Sequence, residues 1–128
     1  MNTIKEVSML NQVIIVGRLV RDPEVRLTTD GKRVANVTIA VNRNYKNNEG
    51  RYETDFINCT LWEGIAQATC DHCQKGSIIG VKGHIIMRQL ELENRKISYP
   101  DLIAETVTFI SRNKNTTLQI SDNNAKIE

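Results

Sequence analysis

The stretch Tyr45–Trp62, YKNNEGRYETDFINCTLW, holds four of the six aromatic residues in this chain of 128 residues. From Asp55 onwards its side chains alternate as in a β-strand, where successive residues point to opposite faces. One face carries aliphatic and thiol groups, and the other carries aromatic and polar groups. The first face comprises Ile57, Cys59 and Leu61, and the second comprises Phe56, Asn58, Thr60 and Trp62. The sequence therefore predicts a strand whose two large aromatic side chains lie away from the core.

Short alternating apolar runs, separated by turn residues, follow one another along the chain in the pattern of an all-β sandwich or barrel. Five runs are predicted as strands, at residues 10–20, 34–43, 53–62, 77–90 and roughly 102–110. Between the third and fourth, apolar residues at i, i+4 and i+7 predict one short helix, followed by Gly76 as its C-cap. This order predicts an all-β fold, a five-stranded OB-fold Greek-key barrel with one short helix between strands 3 and 4.

The charges of the chain nearly cancel, because 17 basic and 15 acidic residues leave a net charge of +2. Net charge alone therefore indicates no partner. Three cysteines, the lack of an apolar N-terminal signal segment and the lack of an apolar run of about 18 residues predict a cytoplasmic protein with no membrane association.

The predicted folded domain covers residues 9–111. Residues 1–8 contain no strong pattern and are interpreted as a flexible N-terminal extension. Residues 112–128 are polar and rich in asparagine, and they are interpreted as a disordered tail without an acidic tip.

The stretch Cys70-Asp-His-Cys73 is the one segment that resembles a metal-binding motif, since two thiolates three residues apart can chelate zinc. A zinc site needs two further ligands, and Cys59 has the parity of the core, which leaves His84 alone. Both helix cysteines lie on the apolar stripe, where cysteine behaves as a small hydrophobe. We predict core packing and no metal or cofactor, with zinc or a redox pair as the alternatives. Two histidines, no nucleophile motif and no carboxylate cluster also predict no enzyme activity.

The fourth predicted strand also has two distinct faces. Its apolar parity comprises Ile79, Val81, Ile85 and Met87, and the opposite parity comprises Lys82, His84, Arg88 and Leu90. Aromatic rings beside cations on neighbouring strands are the combination that binds single-stranded nucleic acid, because bases stack on the rings and phosphates contact the cations. Phe56 and Trp62 are six residues apart, about 20 Å along a strand, which suits two different nucleotides. The alternative is that both rings pack under a loop or in a subunit interface.

Three segments carry a resemblance to a known family. They are MLNQVIIVGRLVRDPEVRLTTDGKRVANVTIAVNR (residues 9–43), DFINCTLW (55–62) and KGSIIGVKGHI (75–85). The chain resembles bacterial single-stranded DNA-binding proteins of the homotetrameric OB-fold replication type over about residues 9–110. The resemblance implies a non-enzymatic protein that coats single-stranded DNA in replication, recombination or repair. It also implies a homo-oligomer, with a tetramer favoured and a dimer left open.

The resemblance further implies a set of nucleic-acid-binding residues. Tyr45, Phe56 and Trp62 fall at the family's base-stacking positions, and Leu90 falls where a fourth aromatic is usual. The basic positions along the DNA path are Arg18, Arg21, Arg26, Arg43, Lys82 and Arg88.

Departures from the family pattern limit what can be transferred. Leu90 and Leu27 replace usual aromatics, and the hairpin LELENRKISYPD looks shortened and contains Pro100, which cannot donate to a sheet ladder. Relatives commonly end in an acidic tip that recruits repair proteins, whereas this chain ends in NNAKIE, so partners that depend on such a tip are not expected.

Other functions remain as alternatives at this stage. One is a primosomal OB protein that binds single strands to help load a helicase. Another is an OB-fold protein-interaction module that binds no nucleic acid. An OB-fold nuclease is disfavoured by the lack of a carboxylate cluster.

Overall fold

The computed structural model describes residues 9–111. The predicted extension and tail, including the expectation about acidic-tip partners, lie outside the described residues. The elements are β1 (Val13–Leu19), β2 (Arg26–Leu27), β3 (Arg33–Lys46), β4 (Tyr52–Trp62), α1 (Glu63–His72), β5 (Ile78–Leu92) and β6 (Arg95–Ser111).

The long strands form a closed barrel in the order β1-β5-β6-β4-β3, which returns to β1. All of its pairings are antiparallel except that of β4 with β6, which is parallel and covers two residue pairs. This architecture confirms the predicted five-stranded barrel with one helix between the third and fourth barrel strands. The two-residue β2, which pairs with the start of β3, was not predicted, because two residues carry no alternation signal.

The barrel interior is built from the parities that the sequence predicts. Cys59 and Leu61 of β4 are buried, as are Ile79 and Val81 of β5. Phe56, on the opposite face of β4, is 66% exposed. The predicted two-faced character of β4 is therefore confirmed.

The helix cysteines pack against the core. Cys70 and Cys73 are partly buried against the barrel cluster, which confirms the predicted core packing. Burial raises the pKa of the Cys70 thiol, and it raises the pKa of Cys59 to about 12 with a further contribution from the Asp101 carboxylate. A raised pKa favours the protonated thiol, which is a weaker nucleophile than the thiolate. Among the described residues, no helix is long and apolar enough to cross a membrane.

The hairpin of β5 and β6 differs from the prediction. β6 begins at Arg95, seven residues before the predicted start at about residue 102, and it runs through Pro100. From Pro100 to Arg95, β6 pairs with β5 and not with β4, so one of its edges is open, and open edges tolerate proline. We refer to residues 87–100, which extend beyond the barrel, as the β5–β6 arm.

Met87 was predicted on the core face, and this prediction is wrong. The Met87 side chain is 61% exposed. Met87 lies opposite Pro100, in the arm, where no third strand covers the ladder. Strand parity identifies a face, but it cannot show where a strand leaves the barrel.

Gly83 and Gly80 of β5 provide a matched test of barrel packing. A Cβ atom at Gly83 would collide with the backbone carbonyl of Ile103, whereas at Gly80 it would lie 3.6 Å from its nearest side-chain neighbours. We expect Gly83→Ala to lower the free energy of unfolding by about 1–3 kcal/mol or more, the usual cost of overpacking. Gly80→Ala should have little effect. Urea unfolding measures both, and equal stability of the two variants would contradict this packing.

Candidate nucleic-acid interface

The outward side chains of β3 and β4 form a continuous surface, which we call the outer β3–β4 face. Four cross-strand pairs of this surface are Asn36 with Thr60, Thr38 with Asn58, Ala40 with Phe56, and Asn42 with Thr54. The small Ala40 opposite Phe56 leaves the phenyl ring exposed. Trp62 has the same parity as Phe56, but it is half-buried where β4 meets α1. Both aromatics thus lie on the predicted face, and Phe56 is the more accessible.

The β3–β4 hairpin carries two further exposed rings, Tyr45 and Tyr52, which are 60% and 59% exposed. Lys46 pairs with Tyr52 in the ladder, and its Nζ lies 5.7 Å from the centroid of the Tyr52 ring, within the range of a cation–π interaction. Tyr52 shares the parity of Phe56, four residues or about 13 Å away along the strand. The sequence interpretation missed Tyr52, although its parity was the signal that could have found it.

Arg43 lies on the opposite side of β3 from Phe56. Its Nε and Nη2 donate to the two oxygens of Asp55 at 3.0 and 2.9 Å, and its Nη1 donates to Glu53 at 2.9 Å. The hydrogen bond from Arg43 holds the pKa of Asp55 below its usual value. Two carboxylates therefore offset the charge of Arg43, which makes it the weakest phosphate-binding candidate of the predicted set.

Three other predicted cations lie close to the outer β3–β4 face. Arg18 lines a cleft of about 420 Å³ together with Phe56 and Asn42. Arg21 and Arg88 line a second cleft, of about 410 Å³, beside Asn58. The structure thus places an arginine near each end of the central part of this face.

Arg26, Lys82 and Leu90 have different surroundings. The Nη2 of Arg26 donates to Asn36 at 2.9 Å, so Arg26 is held at the edge of the outer β3–β4 face. Lys82 is exposed and lies opposite Ile14 of β1, on another wall of the barrel. Leu90 is 50% exposed in the β5–β6 arm, where it pairs with Ile97. The predicted residues therefore form one main surface, with Lys82 and Arg43 set apart from it.

Comparison with protein families gives a match to the single-strand binding protein family over residues 10–110. The chain belongs to this family. It is 48% identical over 103 residues to single-stranded DNA-binding protein B of Bacillus subtilis (strain 168), an alignment that covers 80% of this chain and 91% of that protein. The single-stranded DNA-binding protein of Halalkalibacterium halodurans is 46% identical over 80% of this chain, but only 61% of that protein is covered. Single-stranded DNA-binding protein 3 of Listeria innocua is 38% identical over 94% of this chain and 76% of its own length.

The family match covers the whole barrel and the β5–β6 arm. Membership confirms the resemblance that the three sequence segments indicate. Family membership does not show which side chains of this chain are free to bind DNA, because this depends on their own contacts. Arg43 illustrates the point, since its ion pairs with Asp55 and Glu53 cannot be inferred from a family pattern of basic residues.

The Arg43–Asp55 pair predicts a pH-dependent part of the stability. A carboxyl group whose pKa is lowered by folding stabilises the fold above its unfolded pKa of about 4, and this stabilisation is lost as the pH falls through the folded pKa. We expect Asp55→Asn to shift the urea midpoint most at neutral pH and progressively less below about pH 4. Added salt should reduce the shift, because the pair is exposed. A shift that stays constant from pH 7 to pH 3 would contradict this assignment.

Proposed function

We propose that this protein binds and coats single-stranded DNA without sequence specificity. In this mechanism bases stack on exposed rings, and phosphates contact basic side chains. The observation that carries the proposal is the 66% exposed Phe56, which lines a cleft of the barrel together with Arg18. The relatives described above are named as single-stranded DNA-binding proteins, which supports the same ligand.

The proposed binding surface follows the outer β3–β4 face and continues onto both hairpins. Stacking is assigned to Phe56, Trp62, Tyr45 and Tyr52, with an apolar contact from Leu90. Phosphate contacts are assigned to Arg18, Arg21, Arg26 and Arg88. Lys82 and Arg43 have a lesser part, because Lys82 lies on another wall of the barrel and the charge of Arg43 is compensated. Tyr52 is the addition that the structure suggests, since its exposed ring lies beside a lysine.

We further propose a cytoplasmic role in replication, recombination or repair, with no catalysis. Stacking and charge pairing hold a strand without making or breaking bonds. Among residues 9–111, no group of three or more histidine, cysteine, aspartate or glutamate side chains is arranged to hold a metal ion.

Single substitutions test the stacking surface. We expect Phe56→Ala and Trp62→Ala each to weaken binding of a fluorescein-labelled oligo-dT by about 1–3 kcal/mol, the value of one base stack, and Leu90→Ala to cost less. Phe109→Ala is the matched control and should leave the affinity unchanged, because this ring lies on β6. The centroids of the Phe109 and His72 rings are 5.5 Å apart. Fluorescence anisotropy measures the affinities.

The same titrations, repeated at several salt concentrations, test the phosphate contacts. The logarithm of the affinity should fall with the logarithm of salt by roughly 0.7 for each phosphate contacted. If Phe56→Ala is folded and binds with unchanged affinity, the Phe56 ring does not stack on a base. If the affinity does not depend on salt, the proposed phosphate contacts are wrong.

We also propose a homo-oligomer, with a tetramer favoured over a dimer. On β1, Ile14 is 69% exposed and Val16 is 52% exposed. β3 pairs with β1 only at Arg18 and Leu19, which leaves the first part of β1 with an open edge. Exposed aliphatic groups beside an open strand edge are typical of a surface that pairs with another chain.

A charged substitution tests this interface. We expect Ile14→Glu to convert the oligomer to a smaller species, because a carboxylate in an apolar contact is costly to bury. Thr29→Glu places the same charge in an exposed loop and should leave the assembly intact. Sedimentation velocity measures the mass of each species. A monomeric wild-type protein, or an unchanged mass of Ile14→Glu, would show that this face is not the interface.

A further inference from the structure

A chain of four hydrogen bonds crosses five strands on the outside of the barrel. The Nη2 of Arg26 donates to Asn36 at 2.9 Å, and the Nδ2 of Asn36 donates to the Thr60 hydroxyl at 3.1 Å. That hydroxyl donates to Oδ2 of Asp101 at 2.6 Å, and the Nε of Arg88 donates to the same oxygen at 2.7 Å. A network of this kind fixes the orientation of each member. The polar groups along it are therefore positioned before any ligand arrives.

The cleft of about 410 Å³ lies along this network, between the outer β3–β4 face and the β5–β6 arm. The residues that line it include Asn58, the half-buried Tyr99, Arg21 and Arg88. Within residues 9–111, the Asn58 side chain has no hydrogen-bond partner. An asparagine amide can both donate and accept, so the cleft presents an unused polar group next to an aromatic ring.

Asp101 determines what kind of group can enter. Asp101 is only 4% exposed and is one of the residues that line the cleft. Oδ2 accepts two hydrogen bonds, whereas Oδ1 accepts none from the described part of the chain. A phosphate in direct contact with this carboxylate would meet a like charge of low solvent exposure, which is unfavourable. The phosphate contacts proposed for Arg21 and Arg88 would therefore use N–H groups that do not contact Asp101. An amino group would instead donate to the carboxylate.

Nucleobases differ in the groups that they could offer to this cleft. Cytosine and adenine carry exocyclic amino groups that can donate to a carboxylate or to an asparagine amide oxygen, while thymine and uracil carry, in place of the cytosine amino group, a carbonyl to which a carboxylate cannot hydrogen-bond. From these contacts we propose that the cleft binds the edge of one amino-bearing base, and that Asn58 and Asp101 give a modest base preference at one position of a strand that is otherwise bound without sequence specificity. This inference rests on the proposed binding of single-stranded DNA and adds a reading site to it.

The experiment compares oligo-dC with oligo-deoxyuridine of equal length, because these strands differ in the base edge and not in a methyl group. Fluorescence anisotropy gives the ratio of the two affinities for wild type and for each variant. We expect Asn58→Ala to lower the affinity for oligo-dC relative to oligo-deoxyuridine by about fivefold, the lower range for loss of one specific base contact. The change in the ratio is the readout, since stacking sets the absolute preference.

Two further variants distinguish the loss of a specific base contact from a general loss of affinity. Gln67→Ala removes an amide from α1, where it donates a hydrogen bond to Asp71 outside the cleft and outside the proposed binding surface, and should leave the ratio unchanged. Asp101→Asn keeps the shape of the side chain but replaces one acceptor by a donor, and should lower the ratio provided that circular dichroism shows a folded barrel.

The outcomes distinguish this inference from the function on which it rests. If neither strand binds to the wild type, the proposed function itself fails. If both strands bind and Asn58→Ala leaves the ratio unchanged, the reading site is overturned while the coating function stands. An equal loss of affinity for both strands in Asn58→Ala also overturns it, because Asn58 would then contact the backbone of the strand.

Discussion

The buried contact between the Thr60 hydroxyl and the Asp101 carboxylate is the constraint on which the rest of the structure depends. It lies where β4 meets β6, the only parallel pairing among the described residues and one that covers just two residue pairs. So short a ladder offers few backbone hydrogen bonds. A side-chain bond of 2.6 Å at this point adds a specific link to one of the two short ladders that close the barrel, the other being that of β1 with β3. Thr60 has outward parity, yet it is only 1% exposed, because β6 covers it on closure.

The same contact couples the barrel to the proposed binding surface. Asp101 orients Arg88 and Thr60 orients Asn36, so groups that close the barrel also set the geometry of the second cleft. A carboxylate of low exposure is costly unless its hydrogen bonds are made, and two donors supply them here. Changes at Asp101 therefore alter the fold and the surface together. Asn58, which takes no part in the network, can be changed with much less effect on the barrel.

The alternation of apolar and polar residues predicted the barrel well, because β4 and the first part of β5 pack on the core with one face and contact solvent with the other. It failed for Met87 and for the start of β6, since the β5–β6 arm keeps its alternation after the core has ended. The ion pairs of Arg43 could not be predicted, because they depend on the register of β3 against β4. Tyr52 could have been predicted from its parity with Phe56. The two-residue β2 is defined by its partner strand alone.

The charge distribution favours stacking over charge as the main source of affinity in the proposed mechanism. The net charge is only +2, and the guanidinium groups of Arg43 and Arg88 both contact carboxylates. By contrast, the rings of Phe56, Tyr45 and Tyr52 are each more than half exposed, and the apolar area that they leave in water can be buried by bases. The ion pairs still contribute, because an arginine held by a carboxylate keeps further N–H donors in a fixed direction. In the proposed mechanism, charge therefore acts mainly by positioning the strand across rings that would supply most of the binding energy.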